Sequence, residues 1–497
     1  MIKEKLFDQF PPVTTKEWIA KISCDLKGDD FDKKLVWKTD EGFSVNPFYR
    51  AEDIDNIAYI NTLPGEYPFV RGTKIKNNNW HVRQNIEVSD YSEANRKALE
   101  ILTKGIDSLG FIINNPESVS EPNFEILLHD LHIEDIEINF LCNGKAKEIL
   151  DSIIKIVDER GLAPEKISGA IEADPIGRLM LNGTLCIPIS EGFGYLSSLT
   201  RSALTFPNLR TIHLNASHFT NSGSDIVQEL AFGISMGNEY MAQLTERGIS
   251  TDEAASKIRF SFGSGSNYFP EIAKLRAARL LWSVVMNGYK PAVRESIKMD
   301  IHCVTSEWNK TIFDPYVNML RTQTEAMSAI LGGTDSLTVE PFDIVFRQPD
   351  EFSERIARNQ QLILKEEAYF DKVADPAAGS YYIENLTYLI ADNSWKLFLE
   401  IEEQGGFLAC LKSGLIQEKI SESANKRKVA VASGKETLLG TNKFPDINEK
   451  APLGIEMDRV FKSIEQQNDL LIEPIRLFRG SEEIEKVRLE ADKGEKE

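Results

Sequence analysis

IEINFLCNGKAKEILDSIIKIVDERG (136–161) joins two textures, a short run rich in Ile and Phe and then a longer helical pattern. The run reads as a buried strand, with Asn143-Gly144 as the turn that ends it. The second part reads as a helix that stops at Gly161, because a residue without a side chain can take the left-handed conformation at a helix end. A strand followed by a helix is one βα unit, and such units recur from about residue 100. The strand-like runs are GIDSLGFII (105–113), IEINFLC (136–142), ISGAIEA (167–173), TIHLNAS (211–217), IRFSFGS (258–264), MDIHCVT (299–305), DSLTVEP (335–341) and KVADPAA (372–378). DIVQELAFGISMGNEYMAQLTERG follows the fourth, EIAKLRAARLLWSVVMNG the fifth and FSERIARNQQLILKEEA the seventh. Eight strands alternating with helices predict an α/β fold, a (β/α)8 TIM barrel whose working face is the C-terminal ends of its strands. An open doubly wound sheet is the alternative.

The rest of the chain reads as appendages. Residues 1–90, broken by Pro11-Pro12, Pro47, Pro64 and Pro68, form an extended arm that wraps a partner. The barrel is expected over 91–405, and 406–497 as a helical extension followed by a solvated, charged linker, EEIEKVRLEADKGEKE. At 497 residues the chain has room for both, since a barrel takes ~250. Hydrophobic residues at 42% and charged residues at 27% mark a folded chain rather than a disordered one. A net charge of -20 argues against nucleic acid as a partner, because phosphate binding needs a basic face. An anionic ligand would need a local cluster of Arg and Lys. Cys24, Cys142, Cys186, Cys303 and Cys410 are scattered without a CxxC pair, and the start MIKEKLFDQFPPVTTKEW has no apolar stretch. A reducing, cytoplasmic setting without export or a membrane span is therefore expected.

Polar groups just past barrel strands are the candidates for ligand contact. They are Asn143-Gly144, Asp174, His218 with Asn221, Ser264-Gly265-Ser266, Ser306-Glu307 and Asp375. The loop GSGSNY could cradle a phosphate on backbone N–H groups, or be a tight turn with an N-cap. His218 ends an apolar strand and suits a general acid or a donor to a carbonyl, unless its neighbours simply satisfy it. His213 is expected to point to the opposite face of that strand. Arg71 and Arg83, with Gln84, lie in YPFVRG (67–72) and WHVRQN (80–85), where two arginines suit either phosphate recognition or salt bridges to the barrel rim. The histidines show no metal-binding spacing.

FPPVTTKEWIAKISCDLKG, YPFVRG, WHVRQN, EIAKLRAARLLW (271–282), RTQTEAMSAILGGTDSL (321–337), RIARNQQLILKEEA (355–368), ADPAAGSYYIE (374–384) and GTNKFP (440–445) together resemble the methylmalonyl-CoA mutase family over nearly the whole chain. The resemblance implies an adenosylcobalamin-dependent radical isomerisation that interconverts methylmalonyl-CoA and succinyl-CoA inside a barrel that excludes solvent. It places Arg83 and Gln84 near the CoA chain and Arg259 and Ser261 at the pocket. His218 then stands where a catalytic histidine polarises the thioester carbonyl.

Three departures count against activity. Catalytic chains of the family carry a tyrosine between the VRG and W-RQ motifs, where this chain has the short TKIKNNN. They carry a Thr-Gln-Asn-Asp-like stretch and a following arginine where this chain has ADPIGRL, and each lost donor costs about 3 kcal/mol of transition-state stabilisation. The cobalamin-binding domain is expected to be absent from this chain. DIHCVT (300–305) is similar to the DxHxxG signature of cobalamin ligation, but Thr305 replaces the glycine and the segment reads as a buried strand.

These departures match the small, non-catalytic chains of heterodimeric mutases. The implied partner is a catalytic large subunit, with an acyl-CoA as a further ligand; the cofactor belongs to the complex, and none is expected on this chain alone. Two other readings stay open: a catalytic barrel with a separate cobalamin subunit, where Tyr268 or another aromatic replaces the missing tyrosine, and a CoA-ester-binding or mutase-assembly protein.

Overall fold

In the computed structural model, which describes residues 9–142, 144–462 and 469–494, eight parallel strands close into a barrel. They are β1 (His81–Glu87), β2 (Ser108–Ile113), β3 (Glu137–Cys142), β4 (Ser168–Ala173), β5 (Leu209–Asn215), β6 (Ile258–Ser264), β7 (Asp300–Thr305) and β8 (Ser336–Thr338). They pair in chain order, and β8 closes the ring by pairing with both β7 and β1.

Alternate side chains on each strand face outward and pack beneath helices. Phe111 of β2 and Phe140 of β3 stack at 5.6 Å, and Phe124 covers Phe140 at 5.3 Å. Helix α1 (Thr15–Asp25) precedes the barrel, and α2 (Tyr91–Leu102) follows β1. Helix α3 (Ala146–Glu159) follows β3, and α4 (Pro175–Asn182) and α5 (Ile189–Ser202) follow β4. The short α6 (Ser217–Asn221) and the long α7 (Ile226–Glu246) follow β5; α8 (Tyr268–Gly288), α9 (Val317–Leu331) and α10 (Glu351–Leu362) follow the last three strands. Trp282 of α8 meets Phe260 of β6 edge to face at 4.8 Å. No described helix is long and apolar enough to cross a membrane.

Two expected elements change. The barrel begins on β1, inside the segment read as arm, so the arm's expected end at residue 90 lies beyond the first strand. β1 does not read as an apolar run because Arg83 and Asn85 face the interior, where Arg83 donates to Asn85 and to Glu172 of β4. KVADPAA is a series of turns, with Asp375 at φ 46 and its carboxylate held by Arg71 and Arg276. The charged tail also differs from expectation. It forms α11 (Glu482–Gly494), whose Leu489 packs with Phe313, Phe346 and Val460, while its buried Glu485 takes Arg479 at 2.6 Å.

The chain divides into two compact units, Met1–Asn56 and Ile57–Glu497. In the first, Thr14 and Glu17 cap the start of α1 reciprocally and Trp18 packs on Phe48 at 5.8 Å, yet no residue of α1 is buried. The barrel belongs wholly to the second.

Candidate functional site

The interior of the barrel is filled by ion pairs. Strands β3 and β6 are not neighbours, nor are β1 and β4, so a side-chain bond between either pair crosses the inside. Arg259 of β6 donates from Nη1 to Asn139 Oδ1 at 2.7 Å, from Nη2 to Glu137 Oε1 at 2.5 Å and from Nε to Asp300 Oδ1 at 2.7 Å. Toward the C-terminal strand ends, Arg83 Nη2 donates to Glu172 Oε1 at 2.9 Å. The other oxygen of Glu172 meets His213 Nδ1 at 2.7 Å, and His213 Nε2 meets Ser261 Oγ at 2.5 Å. The side chains of Arg83 and Arg259 are 1% and 4% exposed; Arg259 is spent on Glu137, Asn139 and Asp300, while Arg83 keeps Nη1 buried without a hydrogen-bond partner among the described residues.

Charge pairing outweighs burial here. Burial alone would push the Glu137 carboxyl up, but Arg259, His81 and the Ser108 hydroxyl hold it well below the usual carboxylate range. Glu172 is likewise raised by burial and more than compensated by His213 and Arg83. Such bonds repay the loss of hydration only while each partner is present.

Among the described residues, cavities open at the mouth, and two bear on the site. One, of about 480 Å³, lies at the ends of β1 and β8 and is bordered by Gln84, Glu340 and Arg358. Burial, and then the charge of Glu307, push the Glu340 carboxyl up to about 7. Gln84 turns toward α10, donating to Glu354 Oε2 at 3.2 Å and accepting from Arg358 Nη1 at 3.1 Å. The second cavity, of about 520 Å³, lies between the ends of β3 to β5 and helices α4 and α5. His218 and His213 both border it, against the expected opposite faces, because β5 ends at Asn215 and His218 already lies on α6. Burial, helped by the charge of His213, pushes the His218 imidazole down to about 4, so it is neutral at pH 7.

Of the residues expected at a substrate site, Arg83, Arg259 and Ser261 are thus joined in the interior network, His218 borders a cavity, and Gln84 serves an outer helix. Glu137, Glu172 and Asp300 went unnoticed in the sequence. Their signal was a charge inside the apolar runs IEINFLC, ISGAIEA and MDIHCVT, where an ordinary buried strand has none.

The other candidates are structural. Asp174 caps α4 through Gly177 N at 2.8 Å and also accepts the Tyr240 hydroxyl. Asn221 Oδ1 accepts Ser306 Oγ and Glu307 N, each at 3.1 Å. Ser264 donates to the Glu325 carbonyl at 2.8 Å, and a Cβ placed on Gly265 would stand 3.1 Å from a carboxylate oxygen of Glu271. GSGSNY therefore already faces a negative charge at its helix end, where a phosphate would have sat. Arg71 donates to Asp375 Oδ2 and to the Thr62 carbonyl, both at 3.1 Å, which is the salt-bridging role. Asn143 lies outside the described residues. Tyr268 packs on Phe269 at 5.3 Å and borders neither mouth cavity.

A lower-axial cobalt ligand needs an imidazole free to leave the protein interior. His302 of DIHCVT instead engages Ser336 Oγ with Nδ1 at 2.8 Å and Thr338 Oγ1 with Nε2 at 3.3 Å. Burial and the charges of Arg83 and Arg259 hold it well below the ordinary histidine value. His302 does not fit the role of cobalt ligand.

Comparison with known proteins shows the family to which the chain belongs. A family model described as methylmalonyl-CoA mutase matches residues 38–121 and 117–490. The chain is 44% identical over 504 aligned residues to the methylmalonyl-CoA mutase small subunit of Porphyromonas gingivalis, covering 99% of this chain and 79% of that protein. It is 35% identical to the methylmalonyl-CoA mutase of Rhizobium meliloti, covering 88% of this chain and 65% of that protein. It is 32% identical to the human mitochondrial methylmalonyl-CoA mutase, covering 89% of this chain and 62% of that protein. The chain thus spans less than two thirds of the length of the last two relatives. Matched by the family model over most of its length and 44% identical to one of its members across 99% of the chain, the chain belongs to the methylmalonyl-CoA mutase family.

Proposed function

We propose that this chain is the small, non-catalytic subunit of an adenosylcobalamin-dependent methylmalonyl-CoA mutase, an isomerase of methylmalonyl-CoA and succinyl-CoA, and that it supports a catalytic large subunit in a heterodimer. One observation carries the reading: the interior of the barrel is occupied by the Arg83–Glu172–His213–Ser261 and Arg259–Glu137–Asp300 groups. A barrel that binds substrate must present uncommitted donors, preorganised where charge develops. Here Arg259, Ser261 and all of Arg83 but Nη1 are committed to the interior network.

His218, which the resemblance matches to the family's catalytic histidine, borders the same cavity as Glu172 and His213. The cofactor, bound by the partner, supplies the radical chemistry in the complex. This chain contributes a rigid barrel and contact surface. Its first unit supports that role, because α1 leaves Trp18 and Ile19 exposed at 49% and 40%. Such residues suit a helix that finishes its packing on another chain.

Co-expression with a catalytic-type mutase chain from the same source, followed by size-exclusion chromatography, tests the partnership. The expected result is a stable one-to-one complex. Separate elution of the two chains would refute it.

A further inference from the structure

Residues 129–135 form the loop that leads into β3, at the N-terminal end of the strand and outside both mouth cavities. Groups beyond the loop hold it in place. Arg160, just past the end of α3, donates from Nη1 to the Leu131 carbonyl at 2.8 Å and from Nη2 to the Leu128 carbonyl at 2.6 Å. Asn95 of α2 donates from Nδ2 to the carbonyls of Leu127 and His129 at 2.9 and 2.8 Å. Leu131 and Ile133 are buried, which anchors the loop from within. Asp135 N donates to the His132 carbonyl at 3.1 Å, closing a turn that brings its first and last residues side by side. Around that turn a ring nitrogen of His132 and one carboxylate oxygen each of Glu134 and Asp135 lie within 4.8 Å of one another.

His132 Nδ1 stands 3.7 Å from Glu134 Oε1. Ligand atoms bound at ~2.1 Å to one tetrahedral ion are separated by about 3.4 Å, so small side-chain rotations bring these three groups onto a single ion. Imidazole with carboxylates suits zinc, whereas magnesium and calcium favour sets made of oxygen alone. Among the described residues no lysine or arginine lies within ion-pair distance of Glu134 or Asp135, and Arg160 is spent on loop carbonyls. The spacing of the histidines does not show this set, because two of its three members are carboxylates carried round by the turn.

We propose that His132, Glu134 and Asp135 bind one zinc ion at the entrance to β3, with water completing the tetrahedron. The side chains of His132 and Glu134 are 82% and 20% exposed, so the ion reaches them directly from solvent. Once bound it clamps the turn and stabilises the folded chain, because a ligand held only by the native geometry shifts the unfolding equilibrium toward it. The inference stands apart from the partner assignment, since it uses none of the groups on which that reading rests.

Isothermal titration of the full chain with zinc chloride, in a buffer that does not chelate, tests this. The expected result is saturable binding of one ion that an excess of magnesium does not displace. His132→Ala and Asp135→Asn should each weaken it at least about tenfold, while His129→Ala, in the same loop but outside the set, should leave it unchanged. Zinc should also raise the melting midpoint of the parent chain and not that of His132→Ala. With cobalt in place of zinc, the absorption spectrum should lack the thiolate charge-transfer band that binding at the exposed Cys24 or Cys186 would produce. Absence of zinc binding, displacement by magnesium, unchanged affinity in His132→Ala and Asp135→Asn, or a thiolate band would each overturn the proposal. The titration and the cobalt spectrum of the parent chain decide the matter even if a variant does not fold. Association with a catalytic chain is read by co-purification, so failure of one reading is separate from failure of the other.

Discussion

Arg259 shows how a binding position becomes a packing position. Its guanidinium serves Glu137, Asn139 and Asp300 together, so Arg259→Met would leave the buried Glu137 without its arginine and Asp300 with Arg210 alone. The expected cost is about 3–5 kcal/mol, read as a lowered thermal midpoint. A residue kept for substrate contact would show a small effect on stability instead. Glu340 gives a pH test. Its folded value of about 7 stands above the ordinary 4.5, so the folded chain keeps a proton that the unfolded chain has released. That stabilisation is complete below the unfolded value and is lost as pH rises through the folded one, by up to about 1.4 kcal/mol per pH unit. Glu340→Gln is therefore expected to melt above the parent at pH 8 but not at pH 5. At this scale the sequence was only partly legible: His218 and the arginines could be named, but whether a guanidinium is free depends largely on carboxylates on other strands, Glu172, Glu137 and Asp300, and no local pattern shows them.

Strands and helices were legible where one face is apolar. IRFSFGS was placed at β6 without error, and the helix expected after β3 runs from Ala146 to Glu159 with Gly161 at φ 62 beyond it. β1 escaped because its inward residues are polar, which removes the continuous apolar run of an ordinary parallel strand. KVADPAA was misread for the converse reason, as small apolar residues flanking Pro376 resemble a strand while proline cannot donate to one. Gly169 offers a test of how tightly β4 is fitted. Its φ is 134, and a Cβ there would lie 1.7 Å from the Ile138 carbonyl oxygen of β3. Gly169→Ala is expected to cost about 3 kcal/mol or more, with a lower thermal midpoint and less folded protein. Gly194 on α5 meets nothing within 4 Å, so Gly194→Ala should be neutral or stabilise by up to about 1 kcal/mol. Equal effects at the two glycines would contradict the close fit of β4 against β3.

For the whole molecule, the alternation of βα units was enough to give the barrel, and the charged tail was not enough to place α11. Its acidic surface hides a stripe in which Leu489 and Glu485 are buried, so average charge misled where spacing would have helped. The first unit leads to a prediction about assembly: Trp18→Asp should weaken association with a catalytic chain while leaving the melting of the barrel unchanged, as measured by analytical ultracentrifugation and calorimetry. The most direct measurement is turnover of succinyl-CoA by the purified chain supplied with adenosylcobalamin, alone and with a catalytic partner. No methylmalonyl-CoA above the uncatalysed background is predicted for the chain alone, with turnover appearing only when the partner is added. Steady production of methylmalonyl-CoA by the chain alone would contradict a barrel whose interior arginines are held by buried carboxylates.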